Sequence, residues 1–153
     1  MSIKFLLLLS KQGKVRLSKW YETIPSATKT KTIKELTALV LSRRTKMCNI
    51  SEYKDYKVVY RRYASLFFIC GVENDVNELE TLEIIHRFVE IIDKWFKNVC
   101  ELDIIFNFEK IYQILDEFII SGVVQESSKR EVLRRMEMME QYENVDQLES
   151  VIV

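Results

Sequence analysis

The chain has 153 residues, 48% apolar and 30% charged, with only 3 Gly and 1 Pro, which reads as one soluble globular domain and not as a disordered or low-complexity segment. Lys plus Arg and Asp plus Glu each total 23, so there is no global field to draw in nucleic acid or an anionic membrane. Three widely spaced cysteines, Cys48, Cys70 and Cys100, form no CxxC pair, which argues against a zinc site and fits buried, reduced thiols of a cytosolic protein.

Residues 3–9 are an almost unbroken apolar run, the pattern of a strand buried on both faces. The run is too short for a signal peptide or a membrane span, and Lys11 and Lys14 follow it without a small-residue cleavage site. Gly13 supplies a turn, and residues 15–20 alternate as a second strand, so the chain opens with a hairpin. Thr23 to Thr30, rich in Ser and Thr and holding Pro25, reads as a loop. Ile33, Leu36, Val40 and Leu41, with Leu39 beside them, then recur at helical spacing from about Thr30 to Ser42.

Residues 48–53 and 56–60 are short strands, and Ala64 to Val72 is a strong apolar strand. A long helix follows from about Asn77 to Asn98. It carries two adjacent apolar stripes, one through Leu79, Leu82, Ile85, Val89, Ile92 and Phe96, the other through Ile84, Phe88, Ile91 and Trp95. A helix this broadly apolar must be enclosed on most of its circumference, which points to packing inside a larger assembly. A third helix carries Ile111, Ile114, Leu115 and Phe118 and stops at Ser121-Gly122. Ser127 or Ser128 caps a last short helix to about Met139, and residues 140–153 read as a mobile tail. The expected order is β-β-α-β-β-β-α-α-α, an α+β pattern in which helices cover an antiparallel sheet.

Catalytic chemistry finds little support. His86, the sole histidine, lies mid-helix between apolar positions and has no HExxH, Ser-His-Asp or Cys-His context. The three glycines are scattered, so no phosphate loop exists, and paired acids such as Glu101 and Asp103 suit helix ends. Basic clusters at Lys29, Lys31 and Lys34 and at Arg43, Arg44 and Lys46 read as solvated charge. Arg61 and Arg62 interleave with Tyr60 and Tyr63, a pattern compatible with single-strand stacking, but no basic stripe extends it. The chain is expected to be neither an enzyme nor a nucleic-acid binder, and to need no cofactor.

Three long ungapped blocks carry a family resemblance: IKFLLLLSKQGKVRLSKWY, EYKDYKVVYRRYASLFF and NELETLEIIHRFVEIIDKWFKNVCELDIIFNFEKIYQILDEFIISG. In these blocks, and up to about residue 138, the chain resembles the small (sigma) chains of clathrin-adaptor complexes. KMC at 46–48, VVYRRYASLFF and VCELDIIFNFEKIYQILDEF look most like the complex of the trans-Golgi network and endosomes, with the plasma-membrane complex as the alternative. The resemblance implies a longin-like (SNARE-like) five-stranded antiparallel sheet flanked by helices, spanning residues 1–140 with 141–153 as tail. It implies a heterotetramer in which a gamma-type large chain clasps this subunit beside a beta-type large chain and a medium chain. Such a subunit is cytoplasmic and peripheral on trans-Golgi and endosome membranes and clathrin-coated vesicles. Clathrin, a small GTPase and phosphoinositides would be reached only through the complex.

The resemblance also implies half of a binding site for dileucine sorting signals, [D/E]xxxL[L/I], on cargo tails. The matching positions are Ala64, Leu66, Val89, Asn98, Val99 and Leu102, with Arg16 at the basic position that meets the acidic residue. Their character fits: apolar walls for two leucines, a small Ala64 that leaves room, and Asn98 to bond the peptide backbone. Unaided by the resemblance, Arg16 reads as an exposed strand charge, and Val89, Val99 and Leu102 as core. A longin-type regulatory domain of vesicle fusion or tethering is the rival, disfavoured because these residues contain neither heptads nor a CaaX cysteine.

Overall fold

The apolar run at the start forms β1 (Ile3–Ser10), which turns through Gly13, at φ +84°, into the antiparallel β2 (Val15–Trp20). Ser10 fixes this turn: its hydroxyl accepts hydrogen bonds from the backbone N–H groups of Gln12 and Lys14, at 3.2 and 3.1 Å. The computed structural model describes residues 3–42, 48–53, 55–120, 123–124 and 129–152. Ser121-Gly122, Ser127, Ser128, Arg43, Arg44 and Lys46, which the sequence reading singled out, lie outside these residues.

A single five-stranded antiparallel sheet organises the domain in the order β2-β1-β5-β4-β3, completed by β3 (Cys48–Tyr53), β4 (Tyr56–Tyr63) and β5 (Leu66–Glu73). β1 and β5 are adjacent at the centre and buried almost throughout, which is why both are continuously apolar and not alternating. One face carries Phe5, Leu7, Leu9, Val58, Tyr60, Phe67 and Ile69 against α1 (Ser26–Ser42), whose buried row is Thr32, Leu36 and Val40. Tyr60 is therefore sealed under α1, on the opposite face from Arg61 and Tyr63, and the interleaved stacking platform does not form.

The other face carries Leu6, Leu8, Val59, Leu66, Phe68 and Cys70 against α2 (Glu78–Phe96). Asn77 caps α2 by accepting the Leu79 N–H at 2.8 Å. The breadth of the apolar surface of α2 is accounted for in large part by the chain itself. The second side of α2 is covered by the chain's own α4 (Phe108–Phe118) and α5 (Lys129–Ile152), through Ile111, Ile114, Leu115, Phe118, Val132 and Met136. Leu79, placed on the inner stripe, is 74% exposed.

Four boundaries differ from the sequence reading. α1 begins at Ser26, directly after Pro25; its first turn buries no side chain, so it carries no apolar period that the sequence could show. β5 begins at Leu66, and Ala64 belongs to the tight turn before it. The expected third helix is two: α3 (Glu101–Phe106) and α4, broken at Asn107, whose N–H still bonds Asp103. The two-residue strands β6 (Ile119–Ile120) and β7 (Val123–Val124) follow. α5 runs to Ile152, so residues 140–152 continue a helix that was expected to end near Met139; residues 141–146 are exposed and add nothing to the core.

Edge strand β2 is closed by α4. The Tyr112 hydroxyl donates to the Ser18 carbonyl at 2.9 Å and accepts the Ser18 N–H at 3.0 Å, satisfying both outward-facing backbone groups. Of the described cysteines, Cys70 is buried, and burial pushes its thiol up to about 12, whereas Cys100 is exposed, contrary to the expectation of buried thiols.

Two outcomes test this packing. A Cβ on Gly71 would lie 2.2 Å from the Phe5 ring between two central strands that cannot separate. Gly71→Ala should lower unfolding free energy by about 1–3 kcal/mol in urea denaturation, and an unchanged midpoint would contradict this contact. With iodoacetamide near pH 8, peptide mapping should find Cys100 alkylated in the folded protein and Cys70 only after unfolding, because the thiolate is the nucleophile; labelling of native Cys70 would disprove its burial.

Candidate functional site

The seven residues singled out by resemblance fall on four segments at one end of the sheet. Strand register places them there: Leu9 pairs with Val15 and Ser10 with Leu66, so the start of β2, the end of β1 and the β4–β5 turn share that end. The end of α2 and the start of α3 join them through side-chain bonds.

Arg16 owes its direction to a bulge. Leu8 pairs with Leu17 and Leu9 with Val15, so Arg16 is the extra residue of β2. A bulge re-aims the side chain it carries, and here the guanidinium turns to α3, where its Nε donates to Glu101 Oε1 at 2.8 Å. Both side chains stay partly open, at 25% and 23% exposure. The plain reading of Arg16 as an unengaged strand charge does not hold.

Ala64 is exposed in the two-residue turn between Tyr63 and Leu66, at φ +53°. Asn98 follows the left-handed cap Lys97 and has φ +73°. These three are the only non-glycine residues with positive φ among the described residues, and all lie in the two loops of this site. Such backbone costs of order 1–2 kcal/mol each for ordinary side chains, less for Asn, and strain of this kind gathers where the structure over-determines a loop. Asn98 therefore has a conformational reason to be Asn, in addition to any contact it makes.

Asp93 ties these loops together. Its carbonyl accepts the N–H groups of Lys97 and Asn98, closing α2, and its carboxylate accepts the Val99 N–H at 2.9 Å. The same carboxylate lines one cavity with the Tyr63 ring beside Ala64; desolvation, then the interaction with Asp93, push the Tyr63 phenol up. Asp103 does a similar service for α3, accepting the Cys100 N–H at 2.9 Å. Sequence reasoning passed over Asp93, placed Glu101 only at a helix end and read Tyr63 only in a stacking pattern, since a single carboxylate among many charged residues has no periodic signature.

The apolar members divide by exposure. Leu66 is fully buried, Val89 and Val99 are each 5% exposed, and Leu102 is 60% exposed. The core reading of Val89, Val99 and Leu102 thus holds for the two valines and fails for Leu102. Beside Val89 lies a cavity of about 240 Å³, lined by Arg61, Tyr63, His86, Val89, Glu90 and Asp93. Val89 alone of the seven lines it, so they surround no single open pocket. His86 is exposed on this rim and not enclosed between apolar neighbours. Arg61 Nη1 lies 3.3 Å from His86 Nδ1, and a guanidinium only donates, so Nδ1 accepts and the Nε2 side faces Glu90. Among the described residues no group of three or more His, Cys, Asp or Glu is placed to hold a metal, and no helix is long and apolar enough to cross a membrane.

The sequence matches the family described as clathrin adaptor complex small chain over residues 2–143. It is 59% identical over 133 residues to AP-1 complex subunit sigma-1 of Schizosaccharomyces pombe, covering 87% of this chain and 82% of that protein. Identity is 57% over 152 residues to AP-1 complex subunit sigma-1 of Saccharomyces cerevisiae, covering 98% and 97%. Human AP-1 complex subunit sigma-1A is 52% identical over 145 residues, covering 95% and 92%. In three dimensions the fold matches a chain of a homology model of the full-length AP-3 complex in a stretched open conformation, with TM-score 0.71, 24% identity and coverage of 95% and 98%. The five-stranded sheet, its flanking helices and a match spanning nearly the whole chain lead to one conclusion: this protein belongs to the clathrin adaptor complex small chain family.

Proposed function

We propose that this small chain serves an AP-1-type adaptor complex between the trans-Golgi network and endosomes, where it stabilises the heterotetramer and forms half of a site for [D/E]xxxL[L/I] signals on cargo tails. A gamma-type large chain clasps it, and clathrin, a small GTPase and phosphoinositides are engaged through the other subunits. It has no catalytic part in transport. The observation that carries the signal-binding reading is the convergence of Arg16, Leu66, Val99 and Leu102 at one end of the sheet, linked by Asp93 and Glu101.

Binding on this reading proceeds by exposure of existing walls. Leu102 already faces outward, while Leu66, Val89 and Val99 lie just beneath the surface. A signal's leucines would displace the short α3, of which only Ile104 is buried, and contact those walls. Each buried leucine contributes roughly 1.5–3 kcal/mol gross, and ordering of the peptide and displacement of the cover offset much of it. Weak, reversible capture follows, as suits cargo that must be released.

Fluorescence anisotropy of an ExxxLL peptide, with an ExxxAA control, on this chain co-purified with its large adaptor chain tests the reading. Val89→Asp puts a charge on an apolar wall and should abolish binding. Leu102→Ser, at an exposed position, should weaken it about tenfold without disturbing assembly. Full affinity in an intact complex for both variants would remove these residues from the site. Arg16→Ser should weaken acidic signals about two- to fivefold and leave a QxxxLL peptide unaffected; equal loss for both peptides would deny Arg16 its role toward the acid.

A further inference from the structure

We propose that Glu101 is an internal stand-in for the acidic residue of the sorting signal, holding Arg16 until a signal's own carboxylate replaces it; this rests on the signal-binding reading above. The pair joins residues 85 positions apart, so it is a tertiary contact between the sheet edge and α3, and its Nε–Oε1 distance of 2.8 Å is that of a charge-assisted hydrogen bond. Arg16 reaches it only because the β2 bulge turns it that way. Glu101 directly precedes the outward-facing Leu102, so within this chain an acid on Arg16 already sits beside a leucine at the site.

The pair is also built for exchange. Each side chain keeps about a quarter of its surface open, so an incoming carboxylate can approach the guanidinium without first being desolvated in a closed interior. α3 is only six residues long, with Ile104 its one buried side chain, so Glu101 can withdraw with little loss of core packing. Asp103 holds the start of α3 through the Cys100 N–H and does not depend on Glu101. Engagement of an acidic signal then swaps one partly solvated ion pair for another. The signal's acid adds less net affinity than its contact with Arg16 would suggest, and discrimination rests more on the leucines.

The test uses Glu101→Gln in the co-purified complex, read by anisotropy with ExxxLL, QxxxLL and ExxxAA peptides. Removing the competing charge should tighten ExxxLL about three- to fivefold, leave QxxxLL unchanged, and enlarge the penalty of Arg16→Ser for the acidic peptide. An equal change for both LL peptides, no change, or weaker ExxxLL binding would overturn the proposal, the last result making Glu101 a support that positions Arg16. If the unaltered complex fails to prefer ExxxLL over ExxxAA, the signal-binding reading itself falls and this proposal with it. A normal LL preference with an unresponsive Glu101→Gln overturns the stand-in role alone.

Discussion

Everything in this fold follows from the pairing of β1 with β5 at the centre of the sheet. Both strands are apolar on both sides, so neither face of the sheet can be left to water. α1 answers for one face with a narrow row, Thr32, Leu36 and Val40. α2 answers for the other but is itself too broadly apolar to be an outer layer. It therefore needs α4 and α5 outside it, and the domain is deeper on that side. The Phe5 ring lying over Gly71 shows how closely the two central strands are matched, since one carries bulk where the other has none.

The site is a by-product of how those layers end. Where the sheet stops, the β4–β5 turn and the α2–α3 connection must both reverse direction, and both do so with residues in left-handed backbone. Asp93 satisfies the N–H groups freed at the end of α2 and lines the same cavity as Tyr63, so a helix cap also borders the β4–β5 turn. The β2 bulge adds a cation to the same end. On the proposed reading, structural necessity and binding capacity use the same side chains, Val89 and Val99 being core residues that would also serve as site walls.

Much of the architecture was legible in the sequence wherever burial imposes a period. The runs at 3–9 and 64–72 marked the central strands, the second starting two residues early, and the stripes on α2 and α4 marked their inner faces. What escaped was set by interactions that leave no period. The first turn of α1 buries no side chain; the break at Asn107 is a local departure within an apolar helical pattern; and residues 140–146 are helical although exposed. Periodicity measures how much of a helix is covered, not by what: α4 and α5 of the same chain cover much of α2, so its breadth alone does not identify a partner. The site residues were legible only through the family resemblance, and their most telling features, the bulge at Arg16 and its bond to Glu101, have no sequence signal apart from the paired strands themselves.

The hold of Tyr112 on Ser18 has a consequence for the order in which the molecule can be completed. The hairpin is made before the elements that close it: β1 must wait for β5 to be synthesised and β2 must wait for α4. Contacts of such long sequence separation slow folding, because loop entropy is lost before they form. Until β5 has emerged, the hairpin is an apolar ribbon with two open edges, and until residue 112 has emerged its β2 edge stays open, a condition prone to pairing with a neighbouring chain. The nascent subunit therefore depends on being shielded through most of its synthesis, and Tyr112 is the residue that ends this exposure at the β2 edge.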